Sequence, residues 1–439
     1  MNRHPVILLL IIIAGFALGG FMNRRLVDQR RDYGITQADP LVNAPPLVVF
    51  TTVAFGGFRG IVADLLWLRS SRLQEEGKYF ELVQLADWIT KLEPRFTQVW
   101  AYHAWNLAYN ISVLFDDPES RWRWVRHGFS MLRDEGLRYN PGEPGLLFEL
   151  GWIFQHKLGG NTDDAHRFYK RAWAEEMETL FPGGRPDFTA IERDPELLRR
   201  MQDDYNLDPA RINTIESTYG PLDWRLPATH AIYWAQKSRE VATGIDITFA
   251  ERMLYQSMSD SMRHGRLFRL PGEADFILTP ELDHLPRVRA TFQRYLAARE
   301  DPVGLDSAYR FFLREAVFYA FLYGRFDEAE NCLAELKIFS PDIPADVDAQ
   351  RFVLEILSRS ESERSSAQVF AMVESAFYRA AIAGMSGDQA GADELENIAE
   401  TTWREFVQNR NWSPEVQARL GLPPLEIIRA SARARLRKD

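Results

Sequence analysis

Apolar residues recur at helical spacing along nearly the whole chain. Between residues 77 and 94, for example, small or apolar side chains stand at Leu82, Ala86 and Ile89, which places them on one face of a helix. Alternating β-branched runs and Asn-Gly turns, which are typical of strands and hairpins, hardly occur. The pattern therefore predicts an all-α protein.

A second stretch of the chain repeats the arrangement of the first. The spacing from Gly324 to Pro341 equals that from Gly77 to Pro94, and an aromatic residue lies two positions after each Gly. Gly allows a tight turn before a helix, and Pro ends the helix. In the second stretch the small or apolar positions are Ala329, Leu333 and Leu336.

These stretches resemble the second helix of a tetratricopeptide repeat (TPR). The helix before it in such a repeat carries a large, a small and a large residue at fixed spacing. That pattern is seen at Trp100, Ala104 and Leu107, and at Leu147, Gly151 and Phe154, whereas Leu313, Val317 and Ala320 fit it poorly. The resemblance covers about residues 50–182 and 286–341, without the regular repeat period of about 34 residues. It implies a right-handed helical-repeat solenoid, and an unrelated α-helical bundle is the alternative.

The resemblance also implies a binding surface. The first helices of such repeats line a concave face that holds a peptide or a partner helix. The phase of the repeats places an aromatic groove on that face, formed by Tyr102, Trp105, Tyr109, Phe148, Trp152 and His156. Ordinary packing between helices is the alternative for each of them. The Lys and Asn pattern with which some members clamp a terminal carboxylate is absent, so that ligand is not predicted.

An uninterrupted apolar run covers residues 5–22, close to the ~20 residues that span a bilayer. It predicts a single N-terminal transmembrane helix, with a cleaved signal peptide as the alternative. The predicted location is a bacterial-type inner membrane, with an extracytoplasmic body and a cytoplasmic body as the alternative. Gly15 and Gly19 form a GxxxG pair that permits self-association of such helices, although Gly is also simply common in them.

The chain is divided at changes of pattern. The predicted parts are an anchor at residues 1–31, a linker at 32–46, TPR-like repeats at 47–182, an irregular helical insertion or junction at 183–285, and a further repeat with C-terminal capping helices at 286–439. The capping helices are expected near residues 365–383, 389–409 and 424–437.

Charge and cysteine content exclude several classes of protein. The 439 residues carry a net charge of about −10 without a basic stripe, so nucleic acid is not predicted as a partner. Cys332, the one cysteine, excludes an internal disulfide and any multi-cysteine metal site. Its position in a helix predicts an inert buried thiol.

The stretch Tyr219–Trp234 concentrates polar and aromatic side chains around two prolines. Pro227 suits the first turn of a helix that runs to about Val241, on which His230, Tyr233 and Trp234 share a face. If the preceding loop folds back, Asp223 orients His230 while Arg225 grips an anion. In the alternative, Asp223 and Arg225 pair with each other or with backbone, and the aromatic residues fill a junction between repeat blocks.

Catalytic and cofactor signatures such as G-x-S-x-G, the P-loop, G-x-G-x-x-G and H-E-x-x-H are absent from the sequence. No enzyme activity, cofactor or metal is therefore predicted, and paired carboxylates such as Asp163-Asp164 are interpreted as helix caps. The predicted function is a membrane-anchored TPR-like scaffold or adaptor that binds another membrane or envelope protein. The alternative is an enzyme or small-ligand binder centred on Asp223, Arg225 and His230.

Overall fold

A computed structural model describes residues 59–437, together with Arg25 and Gln29. Within that range it leaves out residues 271–274, 299–303, 359–363, 409–411, 414–415 and 417–418. The predicted anchor at residues 5–22, its Gly15 and Gly19 pair and the linker at 32–46 lie outside the described residues.

The first half of the described chain is helical. Its helices are α1 (Arg59–Glu75), α2 (Tyr79–Leu92), α3 (Thr97–Trp105), α4 (Pro118–Met131), α5 (Pro144–Trp152), α6 (His166–Glu178), α7 (Phe188–Arg193), α8 (Pro195–Arg199), α9 (Pro209–Tyr219), α10 (Pro227–Val241) and α11 (Ile245–His264). Four of them, α3, α4, α5 and α8, continue without a break into wider π-helical turns. These turns are Asn106–Ile111, Leu132–Gly136, Ile153–Leu158 and Arg200–Asp204.

The second half begins with a short hairpin and is otherwise helical. Its elements are β1 (Arg266–Arg269), β2 (Phe276–Thr279), α12 (Leu285–Ala297), α13 (Leu305–Leu322), α14 (Phe326–Phe339), α15 (Ala349–Leu357), α16 (Ser366–Met385), α17 (Gln389–Gln408) and α18 (Leu425–Arg435). The strands are antiparallel, with Arg266 opposite Thr279. Strands of four residues are too short for alternation to stand out, so the sequence did not predict them.

Local chemistry explains where the helices start. Aspartate side chains accept hydrogen bonds from the first free backbone N–H groups of α4, α7, α8, α9 and α15; they are Asp117, Asp187, Asp194, Asp208 and Asp348. A Ser365–Gln368 capping box starts α16. Helix α10 begins at Pro227 and ends at Val241, as predicted.

Glycine makes the turns that the repeat pattern requires at two places. Gly77 between α1 and α2 has a φ of 70°, and Gly324 between α13 and α14 has a φ of 78°. A side chain is strained in this left-handed region, which is why glycine stands there. Each turn joins two helices that pack against each other.

Most of the described chain shares one hydrophobic core. It extends from Trp100 on α3 to Ala371 on α16, and Cys332 is fully buried in it. Helix α10 lies at its centre, packed between α5 and α11. A second, smaller core joins α16, α17 and α18. Helices α7 to α11 within residues 183–285 therefore form part of the main core, whereas Ile277 of the hairpin packs against the smaller core.

The predicted single-pass inner-membrane localisation is corrected by the structure. None of the helices within the described residues is both long enough and apolar enough to span a membrane. The physical reason is the charge that interrupts the long helices: α11 carries Asp246, Glu251 and Asp260, and α13 carries Asp306 and Glu315.

Candidate functional site

The stretch Tyr219–Trp234 forms a tightly packed corner between α9 and α10. Its side chains are almost all buried, and the Gly220–Pro221 peptide bond is cis. Trp224 is fully buried; its indole N–H donates to the Glu216 carboxylate at 2.7 Å, and its backbone N–H donates to the Gly184 carbonyl at 2.9 Å. These bonds fix the loop against α9 and the turn after α6.

Asp223 and Arg225 pair with each other. The Arg225 guanidinium donates to both oxygens of the Asp223 carboxylate, at 2.9 and 2.6 Å, and to Glu178 at 2.9 Å. This two-fold pairing and the neighbouring Glu178 raise the pKa of Arg225 above its usual range, although burial opposes the rise. The guanidinium already binds two carboxylates. It therefore has no free pair of N–H groups with which to hold a further anion, as the sequence alone allowed.

His230 is buried away from Asp223. Its Nε2–H donates to the backbone carbonyl of Trp224 at 2.8 Å, and its ring packs against Phe154, Trp173 and Trp224. Burial lowers the pKa of His230 to about 4, so the imidazole is neutral near pH 7. The geometry matches the alternative in which this stretch fills a junction.

Tyr233 and Trp234 are also engaged inside the fold. The Tyr233 hydroxyl donates to the Asn206 carbonyl at 3.2 Å and accepts from the Asp208 backbone N–H at 2.9 Å. Trp234 is buried against Gly151 of α5, where a larger residue would meet its side chain. Neither side chain is presented to solvent.

The six residues of the predicted aromatic groove are half-buried, and five of them form one continuous stack. Trp105 stacks on Tyr109 with ring centroids 5.8 Å apart, and the Tyr109 hydroxyl lies 3.2 Å from Nδ1 of His156. His156 lies nearly parallel to Trp152 at 4.8 Å, and Trp152 stacks on Phe148 at 6.4 Å. The structure therefore brings together the side chains of α3 and α5 that the repeat phase placed on one face.

Tyr102 extends this surface towards α1. Its ring contacts Trp67 at 5.0 Å, and its hydroxyl bonds to Gln74. At the other end, Phe148 contacts Phe249 of α11 at 6.1 Å. The aromatic surface, defined as the six groove residues with Trp67 and Phe249, thus runs from α1 to α11.

A cleft of about 470 Å³ continues the aromatic surface where α5, α11 and α13 meet. Trp152 and His156 form one wall, and the facing walls include Tyr255 of α11 and Phe311 of α13. Phe311 is 63% exposed. A cleft of this volume with aromatic walls has the dimensions of a site for side chains of a ligand or partner.

Glu149 of α5 lies near Tyr109 of this surface and is not among the residues that the sequence predicts there. Its Oε1 is buried without a hydrogen-bond partner among the described residues, and burial raises its pKa to about 7. In the sequence, Glu149 stands out because it is the only charged residue of α5, which is mostly apolar. Phe249 carried no comparable signal, and Phe311 could not be distinguished by sequence from the other aromatic residues of α13.

Asp163 has a larger role than the predicted helix cap. Its carboxylate accepts from Lys157 at 2.6 Å, from Arg121 at 3.1 Å and from the Ala165 backbone at 2.8 Å. Lys157 in turn lies over the Tyr109 ring at 5.1 Å. This ion cluster supports the aromatic surface from beneath and fixes the turn before α6.

The chain was compared with known proteins. No protein-family model matches it, and no curated protein or solved structure is significantly similar to it.

Proposed function

We propose that this protein is a non-catalytic scaffold with a TPR-like, right-handed arrangement of helix pairs, and that it binds a segment of another protein. The single observation that carries the proposal is the aromatic surface together with its cleft. It presents stacked but half-exposed rings on helices that the main core holds rigid. Exposed aromatic side chains on a rigid frame are typical anchors of protein interfaces.

The TPR-like arrangement is supported by the two glycine turns. In α2, Leu82, Ala86 and Ile89 are buried, and in α14 the matching Ala329, Leu333 and Leu336 are buried. Both sets lie on the second helix of a packed pair, as they do in the repeat.

The partner segment is proposed to carry basic as well as apolar side chains. Faces of Trp and Tyr rings attract cations, and Glu149 adds a carboxyl group near Tyr109. The chain as a whole carries a net charge of about −10, which favours the approach of a basic partner. An enzyme or ligand site centred on Asp223, Arg225 and His230 has less support, because each of these side chains is engaged within the fold.

A photo-crosslinking experiment on the full chain tests this proposal. A photoreactive phenylalanine analogue replaces Phe311 in the cleft, and a matched variant carries it at Ile338 of α14, which is 76% exposed. We expect the analogue at 311 to label one defined basic and apolar segment, and the analogue at 338 not to label it. The segment is then synthesised and its affinity measured by fluorescence anisotropy.

The affinity measurement compares Trp152→Ala with Ile338→Ala. Loss of a central aromatic anchor costs about 2 kcal/mol or more, so Trp152→Ala is expected to weaken binding about 30-fold while Ile338→Ala leaves it unchanged. Circular dichroism checks that both variants are folded. Equal labelling from both positions, an acidic labelled segment, or full affinity in Trp152→Ala would each refute the proposal.

A further inference from the structure

A second cavity, of about 550 Å³, lies on the other side of Gly159 and Gly160 from the cleft. It is enclosed by α6, the start of α10, the end of α11, β2, α13, α16 and the segment that leads into α18. Its volume falls within the range of small-molecule sites, about 300 to 1,000 Å³. Neither the aromatic surface nor the Asp223–Arg225 pair contributes to its walls.

One wall of this cavity carries a buried lysine. Lys170 of α6 is 8% exposed, and its Nζ donates to the Gly160 carbonyl at 2.7 Å, to Asn161 Oδ1 at 3.0 Å and to His166 Nδ1 at 2.9 Å. Among the described residues, no carboxylate lies within ion-pair distance of it. Arg167 stands beside it and donates to the Gly421 carbonyl at 3.1 Å.

The acidic side chains around the cavity are already engaged by other cations. Asp260 of α11 accepts from His264 at 2.8 Å and lies 3.9 Å from Arg263, which itself pairs with Glu315 at 2.6 Å. Asp275 pairs with Arg171 at 2.8 Å. Asp260 and Asp275 act on Lys170 and Arg167 only from a distance.

The positive charge of Lys170 is therefore incompletely balanced. Burial, with Arg167 adding to it, lowers the pKa of Lys170 to about 7, while Asp260 opposes the shift. Burial lowers the pKa of His166 to about 3, so that ring stays neutral. The N-terminal ends of α6, α10, α16 and α18 also face the cavity, and each contributes a partial positive charge. A buried cation of this kind is costly unless an anion joins it.

Another part of the lining is apolar. It is formed by Leu226 before α10, Phe276, Ile277 and Leu278 of β2, Phe370 of α16 and Leu422 before α18. A small inorganic anion would leave this wall in contact with water. Filling it with hydrocarbon gains about 25 cal/mol for each Å² of apolar surface removed from water.

We propose that the cavity binds an amphiphilic anion, whose acidic headgroup bonds to Arg167 and balances the charge of Lys170, and whose hydrocarbon body lies against Phe276, Leu278 and Phe370. The ligand class is a carboxylate or phosphate that bears an alkyl or aryl chain. Binding draws a proton to Lys170, because the headgroup stabilises the charged form of that side chain. This site is separate from the proposed partner-binding surface and does not depend on it.

Isothermal titration calorimetry on the full chain, after removal of bound lipid, tests the proposal. The probes are decanoate, decyl phosphate, inorganic phosphate and decyltrimethylammonium. We expect saturable binding of decanoate, of decyl phosphate or of both, and the tighter of the two identifies the headgroup. Inorganic phosphate should bind at least 10-fold more weakly than decyl phosphate, and the cationic amphiphile should not bind.

Four variants make the test specific. Lys170→Met should weaken decanoate at least 10-fold, Lys170→Arg should retain binding, and Lys91→Met, at an exposed ion pair on α2, should match the wild type. Leu278→Glu places a carboxylate in the apolar wall and tests the site independently if Lys170→Met does not fold. At pH 8 the wild type should take up a proton on binding, seen in buffers of different ionisation enthalpy, and Lys170→Arg should not.

Several results would overturn the proposal. They are undiminished decanoate binding by folded Lys170→Met or Leu278→Glu, equal affinity for the cationic amphiphile, equal affinity for inorganic and decyl phosphate, or no saturable binding of either anionic amphiphile.

Discussion

The ammonium group of Lys157 lies 2.6 Å from the Asp163 carboxylate, and both side chains are less than 5% exposed. Lys170, one helix further along, is buried without such a partner within the described part of the chain. The two buried lysines thus differ in whether a carboxylate pairs with them, and mutation can compare the energetic consequences.

Lys157→Met is expected to lower the free energy of unfolding by about 3 kcal/mol, because it leaves Asp163 buried with Arg121 as its only remaining cation. Lys170→Met is expected to cost less than about 1 kcal/mol, since it removes a buried charge without a carboxylate partner. Urea denaturation at pH 7 measures both values. Equal losses in the two variants would contradict this account.

Glu149→Gln tests the unpaired carboxyl group near the aromatic surface. Burial raises the folded pKa of Glu149 to about 7, above the unfolded value of 4.5. The folded state therefore binds the proton more tightly, and stability falls as the pH rises from about 4.5 to about 7. We expect Glu149→Gln to gain about 3 kcal/mol of stability relative to the wild type between pH 4.5 and pH 8. A pH-independent difference would argue against this environment.

His230 has the opposite pH dependence. Its folded pKa of about 4 lies below the unfolded value of 6.5, so the unfolded state takes up the proton first and stability is lost as the pH falls from about 6.5 to about 4. His230→Gln keeps an N–H donor for the Trp224 carbonyl but cannot titrate. Between pH 5 and pH 6, the wild-type slope of unfolding free energy against pH should exceed that of the variant by about 1.4 kcal/mol per unit. Equal slopes would show that His230 is not buried as described.

Gly184 and Gly183 form a matched pair for testing the Asp223–Arg225 ion pair. Both have positive φ, so alanine at either position costs about 1 kcal/mol in backbone strain. At Gly184 the added Cβ would also lie 2.2 Å from Asp223 Oδ1, whereas at Gly183 it would meet nothing within 4 Å. We expect Gly184→Ala to be less stable than Gly183→Ala by about 2 kcal/mol in thermal or urea unfolding. Equal stability would mean that the ion pair adjusts freely.

The sequence predicts the ends of helices well where a proline or a capping side chain marks them. Pro227 and Val241 are the observed ends of α10, and the C-terminal helices begin within a residue or two of their expected starts. The hairpin was missed because its four-residue strands bury neither face completely. Periodicity reports which face of a helix is buried, and it does so only over several turns.

The candidate sites were only partly predictable, because periodicity describes single helices and not the contacts between distant segments. The sequence predicts that Tyr109 and His156 lie together because both fall at groove positions of the repeat pattern, and the structure brings them into contact. By contrast, Lys170 contacts a cavity whose other walls come from β2, α16 and the segment before α18, far away in sequence. No sequence spacing links segments so far apart, so the cavity could not be predicted from the sequence.

The contacts of α6 with the end of the chain have a consequence for synthesis. His166 and Arg167 bond to the carbonyls of Arg419 and Gly421, more than 250 positions later. A chain emerging from the ribosome in order completes α6 long before those carbonyls exist. The wall around Lys170 therefore closes only after residue 421 has been synthesised, and a shorter nascent chain exposes that lysine to water.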